Sequence, residues 1–167
     1  MGGAPSPPAT WVYALRLPHD PRAARVARMT VRAALHGHGM PEALDVVELL
    51  TSELVTNAYR HTHGPASLRL TALGGGRLRV GVWDSNPHVP APFDKRPGEH
   101  LPPVPPDADN GRGLHLIQAY ATSWGGWPIG DGGLMDRGAG KALWFEVGGV
   151  RSRWGRSLSE VSVMLCA

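Results

Sequence analysis

The sequence has almost no cysteine, and this scarcity limits the chemistry that the chain can perform. Cys166 is its one cysteine among 167 residues, so neither an intramolecular disulfide nor a thiolate zinc site can form. A lone thiol is typical of a reducing compartment, which predicts a cytoplasmic protein. Residues 1–9 lack the basic region and apolar run of a signal peptide, and no later stretch is long and apolar enough to span a bilayer. We therefore expect no membrane association.

An excess of charge of one sign is also lacking. The 17 lysines and arginines stand against 14 acidic residues, which gives a formal net charge of +3. A nucleic-acid-binding module concentrates its cations in a stripe with interleaved aromatic residues, whereas these arginines are scattered along the chain. The one local cluster, Arg151, Arg153 and Arg156, is most simply a solvated tail. The sequence therefore predicts no direct contact with nucleic acid.

Several catalytic signatures are missing as well. No Gly-Lys-Ser or Gly-Lys-Thr occurs, which excludes a P-loop of the usual form. No serine lies in the context of a nucleophile elbow. Four histidines at positions 36, 38, 61 and 63 lie near glycines without partnering cysteines, a pattern more typical of polar loops than of zinc ligands.

Glycine and proline, in contrast, are abundant, with 22 and 16 residues, which indicates substantial loops around one compact domain. We predict a disordered segment at residues 1–9, a domain at residues 10–149 and an extension at residues 150–167 that has no assignment. Residues 85–110 contain eight prolines and no periodicity. A functional flap fits so long an irregular segment better than a plain linker.

Hydrophobic periodicity predicts two helices and a hairpin in the first half of the domain. Alternation over residues 11–17 indicates a strand, and Asp20-Pro21 is a start signal for a helix that ends at Gly37. Pro41 begins a second helix, which ends before Gly64 and carries one apolar stripe. Two alternating segments, residues 67–73 and 77–84, are joined by three glycines and form the hairpin.

The second half is predicted to contain the flap, a short helix and two strands. The helix covers residues 114 to about 121, and the strands lie around residues 123–127 and 141–147. The predicted order is β-α-α-β-β-flap-α-β-β, without an internal repeat.

Three polar residues share one line on the second helix. Glu53, Asn57 and His61 are spaced i, i+4 and i+8, so they lie alongside the apolar stripe and look inward together. An Asn and a His on a half-buried line must be hydrogen-bonded or face a cavity. A polar site is favoured over structural polar packing, although this spacing alone leaves both open.

Two weaker signals lie further along the chain. Asp84 ends a strand, where an isolated aspartate more often starts a turn. Gly111 and Gly113 precede a helix, so their backbone N–H groups and the helix dipole suit a phosphate. Glycines at such a junction usually serve only the turn, and each signal is weak by itself.

Taken in this order, these residues resemble the histidine kinase-like ATPase superfamily, also called the Bergerat or GHKL fold, and within it the small bacterial anti-sigma-factor serine/threonine kinases. Residues 53–61, Glu-Leu-Val-Thr-Asn-Ala-Tyr-Arg-His, are similar to the N box. Val82-Trp83-Asp84 is similar to the first glycine box, and Gly111-Arg112-Gly113-Leu114 to the second. Residues 140–146 are similar to the last strand beneath the adenine.

The resemblance implies a two-layer α/β sandwich, a mixed, mainly antiparallel sheet with helices on one face, that binds ATP and Mg²⁺. It implies that Glu53 is the general base and that Asn57 is the metal ligand. Asp84 would bind the adenine amino group. The remaining ATP-binding positions that it implies are Asn57, His61, Gly111, Arg112, Gly113 and Leu114. Ser85-Asn86-Pro87-His88 depart from the family's glycines, and Ala142 replaces a threonine that helps to bind adenine.

The function implied is phosphorylation of a serine or threonine on an anti-sigma-factor antagonist, with a sigma factor as a further partner and a homodimer left open. The alternative is a module that senses ATP and sequesters a partner without phosphoryl transfer. The intact Glu53 favours the kinase. Ala142 and the atypical segment after Asp84 favour the alternative.

Overall fold

The structure, a computed structural model, describes residues 10–96, 112–129 and 139–148. The predictions for residues 1–9, for the flap beyond residue 96, for Gly111 and for residues 150–167 lie outside these described residues. No helix among the described residues is long and apolar enough to cross a membrane.

The described elements follow the predicted order. They are β1 (Val12–Leu17), α1 (Ala23–Gly37), a 3₁₀ turn (Pro41–Ala43), α2 (Leu44–His61), β2 (Ala66–Gly74), β3 (Arg77–Asp84), α3 (Arg112–Tyr120), β4 (Ser123–Ile129) and β5 (Gly140–Val147).

Two helix starts in the first half of the domain differ from prediction. Helix α1 begins at Ala23 because the Asp20 carboxylate accepts a hydrogen bond from the backbone N–H of Arg22 at 2.8 Å, which makes Asp20-Pro21-Arg22 a turn before the helix. Pro41 opens the 3₁₀ turn that leads into α2 rather than α2 itself.

The five strands form one sheet in the order β1-β2-β3-β5-β4. All four pairings of the described strands are antiparallel, so the fold class is confirmed and the sheet is not mixed within the described residues. The reason is that β5 lies between β3 and β4. The crossover through α3 makes β3 and β4 run in the same direction, but β5 separates them, and no parallel pair forms.

The core lies between one face of the sheet and the helices. Inward residues of β3 and β5, such as Val80, Val82, Leu143 and Phe145, are buried at alternate positions. They pack in the same cluster as the apolar stripe of α2, whose buried members are Val46, Val47, Leu50, Leu54, Val55 and Ala58. Each fully buried leucine or valine contributes roughly 1.5–3 kcal/mol. This burial fixes the rotation of α2 about its axis, and so determines where its polar residues point.

Candidate nucleotide site

The polar line of α2 opens into one cavity of about 240 Å³. Glu53, Asn57 and His61 line it together with Gly113 and Leu114 of α3. The structure thus brings together five of the eight predicted site residues, from two elements that are far apart in sequence. Thr56 and Arg60 of α2 and Pro90 and Ala91 of the flap complete the lining.

Glu53 lies against the first turn of α3. A β-carbon at Gly113 would overlap the Glu53 carboxylate, so a larger residue here would displace that side chain. Burial raises the pKa of the Glu53 carboxyl group, and the charge of Arg60 opposes that rise only in part. A carboxylate with a raised pKa in a cavity is a better proton acceptor than an ordinary surface glutamate.

Asn57 carries a polar atom that the fold leaves unpaired. Its side-chain oxygen Oδ1 is buried and has no hydrogen-bond partner within the described part of the chain. A buried amide oxygen without a donor is unusual, because most buried polar atoms are hydrogen-bonded. An amide oxygen is also one of the hard ligands that Mg²⁺ accepts. The residue therefore fits a metal ligand better than a structural asparagine.

Helix α3 begins two residues earlier than predicted, at Arg112 rather than Leu114. Gly113 therefore lies in its first turn, where backbone N–H groups have no acceptor within the helix. The positive end of the helix dipole adds to these donors and favours an anion. Leu114 is buried and anchors this end of the helix in the core.

His61 sits at the edge of the cavity with an exposed side chain. Its backbone oxygen accepts a hydrogen bond from the Asn86 side-chain amide at 3.2 Å. The backbone N–H of Asn86 in turn donates to Asp84 Oδ1 at 2.8 Å. Asn86 therefore ties the start of the flap both to the end of α2 and to the end of β3.

Asp84 is placed differently from the other site residues. It is 1% exposed and does not line the cavity. Its Oδ1 accepts hydrogen bonds from Asn86 N, as a turn-forming aspartate does, and from the ammonium group of Lys141 at 2.8 Å. Asp84 thus makes the contacts of a turn-forming aspartate, and its role as the adenine partner stays a prediction.

Lys141 is one of two residues that the sequence interpretation missed. The register pairs Lys141 with Asp84 and Ala142 with Trp83. Since neighbouring residues of a strand point to opposite faces, Ala142 points away from α2 and Lys141 points toward it. Ala142 therefore lies on the face of the sheet away from the helices, so it does not occupy the position of a threonine that contacts a base on the side of α2. The sequence does contain a signal for Lys141: it is a single lysine that continues the alternating positions of the apolar residues 143, 145 and 147.

Arg60 was missed as well, although its spacing was visible. It follows Asn57 by three residues and Glu53 by seven, which places all three on one face of α2. Its exposed guanidinium group lies at the same cavity and acts on the Glu53 carboxylate. A cation in this place adds to the attraction for an anionic ligand.

The burial of Lys141 predicts a simple chemical result. The chain has two lysines, Lys95 and Lys141, and only Lys141 is fully buried. With an amine-acetylating reagent under native conditions, mass spectrometry should show that Lys141 reacts at least about tenfold more slowly than Lys95. A tenfold difference arises if the local opening that exposes Lys141 costs only about 1.4 kcal/mol of free energy. The denatured chain, as control, should show comparable rates. Comparable rates in the native protein would contradict the buried pair.

Two larger concavities lie elsewhere on the described surface. One, of about 520 Å³, lies on the face of the sheet opposite the helices and is lined in part by Arg16, Arg69 and Trp83. The other, of about 690 Å³, lies beside β4. Neither contains the carboxylate and amide of α2, so the smaller cavity is the better candidate for chemistry.

Comparison with known proteins gave a family match and a relative. The histidine kinase-like ATPase domain matches residues 17–125, which is more than half of the chain. An uncharacterized protein of Streptomyces coelicolor is 43% identical over 67 residues, which is 40% of this chain. The chain spans 57% of the length of that relative. The domain match includes α2 and α3, the two helices that line the cavity, as well as β3. The chain belongs to the histidine kinase-like ATPase domain family, whose members bind ATP.

Proposed function

We propose that this protein is an ATP-dependent kinase that phosphorylates a serine or threonine of an anti-sigma-factor antagonist. The observation that carries the proposal is the placement of Glu53 and Asn57 one helical turn apart in a single cavity, beside the first turn of α3. Family membership supports ATP as the ligand. The resemblance of the α2 motif to that of anti-sigma-factor kinases supports the protein substrate.

In this proposal different groups of the chain bind the phosphates and the metal ion. The first-turn N–H groups of α3 and the guanidinium of Arg60 bind phosphate oxygens. Asn57 Oδ1 holds Mg²⁺, which when bound supplies neutralisation of the charge on the transferred phosphoryl group. His61 and Leu114 line the same cavity, and Arg112 belongs to the site only as the resemblance implies.

Glu53 serves as the general base. Its carboxylate takes the proton from the acceptor hydroxyl while the hydroxyl oxygen forms its bond to the γ-phosphorus and the bond from that phosphorus to ADP breaks. The pKa that burial raises suits this role, because a base is most effective when its pKa approaches the working pH. The glutamate reaches the hydroxyl without having to ligate the metal itself.

A second candidate function is an ATP-sensing module that sequesters a partner without phosphoryl transfer. One observation favours it: Asn86, in the segment that departs from the family's glycines, hydrogen-bonds both Asp84 and the backbone of His61. Under either function we propose a cytoplasmic protein with a sigma factor as a further partner, without direct binding to nucleic acid or membrane. A homodimer is compatible with both.

The experiment that tests the proposal measures ATP binding by calorimetry with and without Mg²⁺. The parent protein should bind ATP in a Mg²⁺-dependent manner, and Asn57→Ala should lose most of that dependence because the amide oxygen is gone. Asn57→Asp, which keeps an oxygen ligand at the same place, is the matched control and should retain it. Equal Mg²⁺ dependence in Asn57→Ala and the parent would point to a different metal site.

The protein substrate is tested separately. Incubation with labelled ATP, Mg²⁺ and the candidate antagonists encoded in the same genome should label one of them on serine or threonine. If ATP binds but no antagonist is labelled, while ATP changes the affinity for a sigma factor, the sensing module is the correct function.

A further inference from the structure

The Asp84–Lys141 ion pair is unlike the other ion pairs in the described chain. Its two side chains are 2% and 1% exposed, and the ammonium nitrogen lies 2.8 Å from Oδ1. In the other ion pairs of the described residues, which join Asp20 to Arg22, Glu48 to Arg32 and Glu146 to Arg79, the arginine is 45–82% exposed. Within the described ranges, only this pair has both charges withdrawn from water.

Stability does not explain why a lysine stands at position 141. Leu143, Phe145 and Val147 follow it at alternate positions on the inward face of β5, and an apolar residue would continue that stripe. A buried ion pair is at best comparable in stability with a well-packed apolar pair, because both ions must be desolvated. A charged pair at the end of β3, beside the flap, therefore calls for a role other than packing.

The hydrogen bonds indicate what the lysine does to the aspartate. Two donors, Lys141 Nζ and Asn86 N, meet on the same oxygen, Oδ1, each at 2.8 Å. Lys141 Nζ also donates to the backbone oxygen of Asn86 at 3.2 Å. Because both bonds end on Oδ1, they fix the rotation of the carboxylate about its Cβ–Cγ bond. The orientation of the second oxygen, Oδ2, is thereby set.

We propose that Lys141 is a positioning residue for base recognition. It holds Asp84 through Oδ1, so that Oδ2 is presented to the exocyclic 6-amino group of the nucleotide's purine. Discrimination in favour of a 6-amino purine therefore depends on Lys141 as well as on Asp84. This inference rests on the proposed function, in which ATP binds in the α2–α3 cavity, and it places the base of that nucleotide at Asp84.

The test compares two nucleotides that differ only in that amino group. ATP and purine riboside 5′-triphosphate, which carries hydrogen at position 6, are titrated into the full chain with Mg²⁺. The parent should prefer ATP by about tenfold or more, the usual worth of a hydrogen bond to a charged group. Lys141→Met should reduce this preference to within about threefold, while its affinity for the analogue changes little.

A purely structural role would give a different pattern, since general loosening of the site would weaken both nucleotides alike and leave their ratio unchanged. Lys95→Met, at the only other lysine, is the matched control and should keep the parental ratio. If Lys141→Met does not fold, Lys141→Gln takes its place. It keeps a neutral donor, and its ratio should lie at least about threefold below that of the parent, because a neutral donor forms the weaker hydrogen bond.

The outcomes separate this inference from the function on which it rests. A parent that prefers ATP tenfold and a folded Lys141 variant with the same preference would overturn the role of Lys141 alone. A parent that binds ATP without any preference over the analogue would overturn it too, and would leave ATP binding intact. A parent that binds neither nucleotide would remove the proposed function and this inference together.

Discussion

Glu53→Gln is expected to slow phosphoryl transfer to the antagonist by about 10²–10⁴-fold, the usual worth of a positioned general base. The affinity for ATP should stay within a few-fold of the parent value, because glutamine keeps the size of the side chain that lies against Gly113 and leaves Asn57 untouched. Quench-flow or filter assays with labelled ATP measure the first quantity, and calorimetry measures the second. Glu42→Gln, at an exposed acid in the 3₁₀ turn, is the matched control and should behave as the parent.

The pH dependence of the same reaction gives a second readout. Transfer needs Glu53 ionised, so the rate should fall as the pH drops through its pKa, which burial raises above the ordinary value for glutamate. The acid limb of the parent should therefore lie at higher pH than an exposed glutamate would give. Glu53→Gln should lack that limb.

Two results would contradict this division of roles. If Glu53→Gln stays folded but no longer binds ATP, Glu53 belongs to the nucleotide or metal site and is not the base. If the parent transfers no phosphate to any antagonist while ATP still alters its affinity for a sigma factor, the sensing module replaces the kinase.

Breaking the buried ion pair should have the largest effect on stability. Asp84→Asn and Lys141→Met are each expected to lower the free energy of unfolding by about 3–5 kcal/mol, because each leaves the opposite charge buried without its partner. For a chain of this length that corresponds to a Tm lower by about 6–20 °C. Thermal unfolding followed by circular dichroism measures it.

The double variant measures how far the effect of losing one charge of the pair depends on the presence of the other. With both charges removed, Asp84→Asn/Lys141→Met should be within about 2 kcal/mol of the parent, so its loss is far smaller than the sum of the single losses. Arg32→Met is the matched control, because the Arg32 guanidinium is largely exposed and its pairing with Glu48 is screened by water. Additive losses in the double variant would show that the two charges do not depend on each other.

Asp84→Asn also needs this stability measurement before it can be used to test adenine binding. A weaker affinity for ATP in that variant has two explanations, loss of the base contact or partial unfolding around an unpaired Lys141. The nucleotide pair used for Lys141 distinguishes them, because only a lost base contact changes the ratio between ATP and its analogue.

Much of the site follows from local sequence rules. The 3.6-residue period of α2, set by Leu50, Leu54 and Ala58, places Glu53 and Asn57 together at the edge of the buried stripe whatever the helix packs against. Alternation and the three glycines likewise predict the β2–β3 hairpin. These features depend on contacts between residues that are close in sequence, so the pattern itself determines them.

The tertiary structure decided the rest, since it depends on pairings across long stretches of chain. Whether Lys141 or Ala142 faces the helices is set by the β3–β5 register, and a shift of one residue would reverse it. Lys141 and Asp84 are 57 positions apart, and Gly113 meets Glu53 across a separation of 60. No local period links such residues. The sequence by itself therefore determined which side chains stand on α2, and packing alone determined that a lysine holds Asp84 and that a glycine makes room for Glu53.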